Sequence, residues 1–440
     1  MSRAFERSDG RVRRAGALAG AVLVLAATLA ACSSTNSQST STTAASGGSS
    51  SKIPASAFSD TTGITPTSVT VGNVSTLYAG LFKGALVGTQ AYAAYVNSQG
   101  GVHGRQLLVD SYDDGYQGAP NKQGHEQIVQ KDFAAVGGFS LQDSYGGTVL
   151  AANPGVPAVT VPLDQALADL PNLFSPDPGQ IGWPTGPLQY FRTKYPSDVA
   201  HAGALVADQP SAITKWSGEK QAMQSLGYKV VYDPQFDITQ TDFTQNVVAM
   251  RQAGVKILFL EQMPENYAAA VVKALDQQNF HPVVVFGSST YSESLASASG
   301  GASAVNGIYM ELPTALFLGE DANSIPAVNT FLTWVQKASP GFKPDLFTLF
   351  GWLSGQLFVQ ALQAAGAHPT RGSVLQQLSK ITTFDGNELI AQSNPAGKVP
   401  PHCYVIAQFA GDKLQRLDDP PVSASTHGYR CDGKYFYAKV

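Results

Sequence analysis

The stretch Ser68–Gly138, SVTVGNVSTLYAGLFKGALVGTQAYAAYVNSQGGVHGRQLLVDSYDDGYQGAPNKQGHEQIVQKDFAAVGG, decides the fold. It opens on a β-branched run, Ser68 to Val74, that reads as a strand. After a turn at Ser75–Gly80, the residues Leu81, Ala85, Tyr92, Tyr95 and Val96 recur at helical spacing, which predicts an amphipathic helix from Leu81 to Ser98. Asn97 to Gly101 stops it, because glycine takes a left-handed cap without a Cβ clash. Gln106–Ser111 reads as a second strand, Asn121–Lys131 as a second helix and Phe133–Gly138 as a third strand. The β-α-β-α-β order with short connections predicts half of a doubly wound parallel sheet, hence an α/β fold.

Outward from this stretch the pattern continues and then restarts. A helix to about Ala152 and a fourth strand, Pro157–Val161, extend the first sheet. Pro171–Pro187 is dense in proline and glycine and is expected to be irregular, since proline blocks both helix and ladder. Strands at Val199–Val206, Tyr228–Tyr232, Val255–Leu260, Val283–Gly287 and Gly307–Leu312 then alternate with helices at Ser211–Leu226, Asp242–Ala253 and Pro264–Gln278. Asp242 reads as an N-cap. Asp345–Ala365 is apolar nearly all round and is expected to be buried.

The first residues address the chain. Residues 1–14 carry five arginines and two acids, residues 15–31 are apolar apart from Thr28, and Leu29-Ala30-Ala31-Cys32 closes the run. This is the pattern of a secretory signal, and its end resembles a bacterial lipobox in which Cys32 is lipidated; a plain signal peptide or a membrane anchor is the alternative. Residues 32–62, rich in serine and threonine, have the composition of a disordered tether, spanning roughly 30 Å as a flexible coil. Removing residues 1–31 takes five arginines from the 28 basic residues and two acids from the 32 acidic ones, leaving a net charge near −7 and no surface for nucleic acid. Cys403 and Cys431 remain, and in an exported chain they read as a disulfide contributing roughly 3 kcal/mol, with a metal pair as the rival reading.

Three segments carry a family resemblance: YVNSQGGVHGRQLLVDSYDDGY at Tyr95–Tyr116, VQKDFAAVGG at Val129–Gly138 and TDFTQNVVAMRQAGVKILFL at Thr241–Leu260. They resemble the type I solute-binding proteins that feed ABC importers, and are similar to the branched-chain amino-acid-binding class among them. The resemblance implies two doubly wound parallel-sheet lobes joined by a three-crossover hinge. Lobe one would hold residues 63–197 and 320–385, lobe two residues 198–319 and 386–440. It also implies a monomer, lipid-anchored outside the cell membrane, that captures a small polar solute in the interlobe cleft and delivers it to ABC permease subunits, without cofactor or metal. A sensory lipoprotein of the same fold is the alternative, and a secreted hydrolase-type enzyme a more distant one. The sequence shows no G-x-S-x-G, P-loop, strand-following G-x-G-x-x-G or H-E-x-x-H motif, and its seven histidines are scattered singly.

A doubly wound sheet binds ligands at the carboxyl ends of its strands. In lobe one that selects Tyr78, Ser140, Gln142 and Gln165; in lobe two, Asp208, Gln209, Glu261, Glu265 and Tyr291. Helix N-termini in these loops are expected to offer free N–H groups as a carboxylate seat. By resemblance, Glu265 in Pro264-Glu265 matches the position whose carboxylate meets a ligand ammonium; it also suits the start of a helix, and Glu261 competes for the role. Ser140-Leu141-Gln142 and Leu163-Asp164-Gln165 stand where amino-acid-binding members carry small hydroxyl residues, and Asp208-Gln209-Pro210 where an aromatic is common. These departures point away from a standard branched-chain amino acid and toward a neutral or amine-bearing ligand held by the amides of Gln142, Gln165 and Gln209.

Overall fold

In the computed structural model, residues 53–417, 426 and 428–439 are described. The signal peptide, Cys32 and residues 32–52 of the tether expected above lie outside them, whereas residues 53–62 of that segment fold onto the body through a short turn at Ala55–Ser59, buried Ala57 and the Asp60–Arg371 pair.

The first sheet is built as the opening stretch predicts. Strands β1 (Ser68–Ser75), β2 (Gln106–Asp113), β3 (Ala135–Val136), β4 (Ala158–Val159) and β5 (Leu173–Phe174) are all parallel, in the order β2-β1-β3-β4-β5. Helices α1 (Lys83–Ser98), α2 (Gly118–Lys131), α3 (Asp143–Ala152) and the single turn α4 (Gln165–Ala168) connect them. The proline-dense segment differs from expectation. Pro171 and Pro176 flank the two ladder residues Leu173 and Phe174 instead of interrupting them, so β5 pairs with β4 and buries both side chains. The same segment also yields β6 (Gly182–Pro184), and α5 runs from Thr185 to Lys194.

The second sheet takes β7 (Ala202–Ala204), β9 (Val230–Tyr232), β11 (Ile257–Leu260), β12 (Val283–Phe286) and β13 (Tyr309–Leu312), with β8 (Val206–Ala207) and β10 (Gln235–Phe236) forming a small parallel pair. Helices α6 (Pro210–Ser225), α7 (Thr244–Gln252) and α8 (Glu265–Gln277) connect them, followed by the single turns α9 (Leu295–Ala298) and α10 (Ala302–Val305). Asp242 stands two residues before α7 and accepts the Thr244 N–H at 2.8 Å. Ile257, Leu258, Phe259 and Leu260 are at most 1 % exposed, the continuous apolar run of a strand covered on both faces.

The chain then returns to the first sheet. Helices α11 (Pro326–Ala338), α12 (Leu346–Ala364) and α13 (Arg371–Leu378) follow β13. A capping box starts α12: Asp345 accepts the Thr348 N–H at 2.8 Å while Thr348 Oγ1 accepts the Asp345 N–H. As its all-round apolarity predicts, α12 is buried, and it crosses α1 with backbones in contact. A Cβ added at Gly351 would lie 2.1 Å from the Ala85 carbonyl, so only glycine permits the crossing. Helix α13, not anticipated from sequence, is held by Arg371, which is 3 % exposed; it pairs with Asp60 at 2.9 Å and donates to the Phe133 and Val129 carbonyls.

A last pass brings β14 (Val405–Ala410) and β15 (Lys413–Arg416) antiparallel onto the second sheet, giving the order β15-β14-β13-β12-β11-β7-β9. Cys403 and Cys431 are joined in a disulfide, and β16 (Tyr435–Tyr437) pairs antiparallel with β6, opposing Phe436 to Trp183. Among the described residues no helix is long and apolar enough to cross a membrane.

Candidate functional site

The loops at the carboxyl edges of the two parallel sheets are tied together by side-chain contacts on two sides. Gln165, after β4, accepts the Ile181 N–H at 3.0 Å, and Lys215 of α6 donates to the Gln180 carbonyl at 3.1 Å. Gly179 packs against the Pro162 carbonyl. On the other side Lys343, just before α12, pairs with Glu293 in the loop after β12. The segment 176–184 and the ion pair therefore bridge the loops that follow the strand ends, where doubly wound sheets place ligands.

The lobe-one wall has two layers. Its polar layer is internally satisfied. Ser140 is 3 % exposed; its Oγ donates to Asp114 and accepts the Gln142 N–H at 2.9 Å. Thr76 Oγ1 donates to the same hydroxyl at 3.2 Å. Asp114, fully buried, also accepts from Asn121 and from the Tyr116 N–H, both at 2.9 Å. The Leu163 and Asp164 amides donate to Asp143 Oδ2 at 2.7 and 3.2 Å, and the Ala166 and Leu167 amides to Asp164 Oδ1 at 2.8 and 3.3 Å. The amides expected to be free around the start of α4 are thus already occupied by the protein's own carboxylates. Burial pushes the Asp143 carboxyl up to about 6, against the pull of its two amide donors. The second layer is apolar: Phe82, Phe139 and Phe347 form a nest with ring centroids 4.6 to 4.9 Å apart, and half-buried Leu141, Val161 and Leu163 cover it. Edge-to-face aromatic packing of this kind fixes the loops rigidly.

The lobe-two wall is organised by a row across three strands. Leu260, Phe286 and Met310 are register partners, so the next residues, Glu261, Gly287 and Glu311, share one row at the carboxyl edge. A Cβ at Gly287 would sit 3.0 Å from the Glu261 Cβ, so glycine lets the two glutamates approach across it. Glu219 of α6 joins them, accepting from Gln262 Nε2 at 2.9 Å. All three carboxyls are at most 6 % exposed, and both oxygens of Glu261 lack a donor. Burial raises Glu219 to about 8 and Glu311 to about 7; burial and then its two acidic neighbours hold Glu261 well above the usual carboxylate range. The Trp183 indole N–H approaches Glu311 without closing a hydrogen bond. Among the described residues no group of three or more His, Cys, Asp or Glu is arranged to hold a metal ion.

The residues selected from sequence fall into three groups. Tyr78 is exposed at 66 % on the rim after β1, Asp208 is exposed after β8, and Gln142 and Gln209 are half-buried at the starts of α3 and α6. Glu261 is in the buried row, while Glu265 lies in the first turn of α8 with its carboxylate accepting from Ser294 at 2.7 Å. Gln165 binds the protein itself, donating to Asp169 at 2.8 Å besides accepting from Ile181. Two lie inward. Ser140 turns inward because its hydroxyl donates a hydrogen bond to the buried Asp114. Tyr291 is 2 % exposed, stacked edge-on against Phe317 at 4.8 Å, and its hydroxyl donates to Glu320 at 2.6 Å, so it is a core residue. Sequence reasoning missed Glu219, Glu311 and Asp143; the one local signal was an acid inside the apolar strand Tyr309–Leu312. A cavity of about 580 Å³ walled by Tyr92, Tyr95 and Trp352 opens between α1 and α12, apart from these edges.

Comparison with known proteins agrees with this architecture. The model of the periplasmic binding protein family matches residues 69–413. A Leu/Ile/Val-binding protein homolog of Brucella suis is 26 % identical over 150 residues, a stretch covering 34 % of this chain and 37 % of that relative, so the match spans little more than a third of the relative's length. Among solved structures, a branched-chain amino acid ABC transporter protein of Thermus thermophilus with bound valine superposes with a TM-score of 0.69 at 15 % identity, over 80 % of this chain and 95 % of that one. A fatty acid ABC transporter substrate-binding protein of Thermomonospora curvata gives 0.66 at 17 % identity, over 86 % and 95 %. With two α/β sheets and a family match over most of its length, the chain belongs to the periplasmic binding protein family.

Proposed function

We propose that this protein captures a small solute between its two lobes on the outer side of the cell membrane and delivers it to an ABC permease. The observation that carries the reading is the opposition of two parallel-sheet carboxyl edges, bridged by the 176–184 segment and by Lys343–Glu293. Such a body opens and closes by hinge motion at its crossover segments. Lobe one comprises residues 63–197 and 320–385, lobe two residues 198–319 and 386–440. Tyr78, Gln142, Asp208, Gln209, Glu261 and Glu265 face the solute, and Cys32, lipidated, tethers a monomer through the Ser/Thr-rich segment. The protein binds without a cofactor and catalyses nothing.

The test uses residues 33–440 purified without the anchor. A solute that binds the native state raises the melting temperature, and closure lowers the radius of gyration in small-angle scattering. Solute retained through purification, identified by mass spectrometry after denaturation, should produce both effects when added back. A protein that retains no solute, and shows neither effect with a broad panel of nutrients, would refute the reading.

A further inference from the structure

We infer that the solute taken by this cleft carries an apolar body and an amine or amide end, and no carboxylate; the inference rests on the solute-binding reading above. Two independent features lead to it.

The first is the state of the lobe-one donors. An anion at a strand end is held by hydroxyls and by amides at helix starts. Here the hydroxyl and five amides of the loops after β3 and β4 are committed within the chain. The Ser140 hydroxyl donates a hydrogen bond to Asp114, and the Gln142 amide donates to Ser140. The Leu163 and Asp164 amides donate to Asp143, the next two to Asp164. The loops 76–82, 137–143 and 160–165 contain no Lys, Arg or His to replace them. A ligand carboxylate would lose its water beside Asp143 and Asp114, with neutral donors such as the Gln142 side-chain amide but no cation to offset its charge, which is the costly arrangement for a buried charge. The surface that the same loops do present is the phenylalanine nest covered by Leu141, Val161 and Leu163, and it suits hydrocarbon or an aromatic ring.

The second feature is on lobe two. Glu261 stands at the sheet's carboxyl edge, 6 % exposed, with neither oxygen reached by an N–H, and its carboxyl lies against the acids Glu311 and Glu219. Buried acceptors are normally satisfied. An amide N–H supplies a donor to the carboxyl oxygen, and an ammonium does so as a charge-assisted hydrogen bond once Glu261 has released its proton to solvent. Body on lobe one and donor on lobe two give one orientation for one kind of molecule.

Matched pairs that differ only by the carboxylate test this: isoamylamine against L-leucine, phenethylamine against L-phenylalanine, and octylamine against octanoate, each titrated calorimetrically into residues 33–440. Each carboxylate-free member should bind roughly a hundredfold tighter than its partner. Glu261→Gln should weaken the amines by at least about tenfold while melting at or above the wild-type temperature. Asp143→Ala frees two amides and should raise L-leucine affinity by about tenfold; if that variant does not fold, Asp143→Asn, which still offers an acceptor, takes its place with a smaller gain. Equal or tighter binding of any carboxylate member overturns the inference, as does silence from all six compounds. The solute-binding reading is judged separately. A retained solute that bears a carboxylate and compacts the protein would overturn the class and leave that reading standing.

Discussion

Replacing Glu219 by glutamine should flatten the pH dependence of stability. Glu219 is fully buried, and its carboxyl is pushed from an ordinary 4.5 to about 8 because desolvation disfavours the charged form, with Glu311 adding repulsion. A raised acid binds its proton more tightly in the folded state, so its contribution is fully present below about pH 4.5 and is lost as pH rises toward 8. Each pH unit in that window changes the free energy of unfolding by about 1.36 kcal/mol. Between pH 4.5 and 7.5 the wild-type protein should therefore lose about 3 kcal/mol through this carboxyl and the acids that titrate with it. Glutamine keeps the shape and an oxygen for the Gln262 amide, and has no proton to lose. Urea unfolding followed by circular dichroism at pH 4.5, 6 and 7.5 reads the effect as midpoints. The Glu219→Gln curve should stay higher at pH 7.5, and the gap should close on acidification. Parallel profiles for the two proteins would show that Glu219 is not held protonated by the fold.

Three further outcomes are expected. Cys403→Ala should lower the free energy of unfolding by roughly 3 kcal/mol, since the Cys403–Cys431 bond restricts the unfolded loop; unchanged urea midpoints in oxidised and reduced wild-type protein would contradict this. Gly351→Ala puts a methyl into the Ala85 carbonyl at the α1–α12 crossing and should cost about 1–3 kcal/mol by overpacking, with a melting temperature equal to wild type as the contrary result. Cys32→Ala should move the protein from membrane to soluble fractions of the producing cell, and unchanged partitioning would remove the lipid anchor from the account.

What the sequence made legible, and what it did not, divides by the range of the interactions involved. Strands β1, β11, β12 and β13 are apolar or β-branched runs, and α1, α8 and α12 carry their pattern within one helix, so each announces itself locally. Strand β5 does not: Leu173 and Phe174 become a strand only because β4 offers them an edge. The cleft is harder still, because a donor's availability depends on partners elsewhere in the chain. Ser140 at a strand end has the chemistry of a ligand hydroxyl, yet Asp114, 26 residues earlier, already accepts its hydrogen bond. The amides at the start of α4 have the geometry of an anion seat, yet Asp143, 20 residues before Leu163, fills it. Glu261 and Glu311 meet because strand register sets them in one row over a glycine. The departures Leu141-Gln142 and Leu163-Asp164 were nonetheless visible, and they pointed away from an amino-acid α-carboxylate. Asp143 and Asp164 supply carboxylates to the amides in that loop, and Leu141 and Leu163 pack over the phenylalanine nest beside it. On the inference drawn above, the fold sets where a ligand goes, while a few carboxylates folded back onto its loops set which charge it can carry.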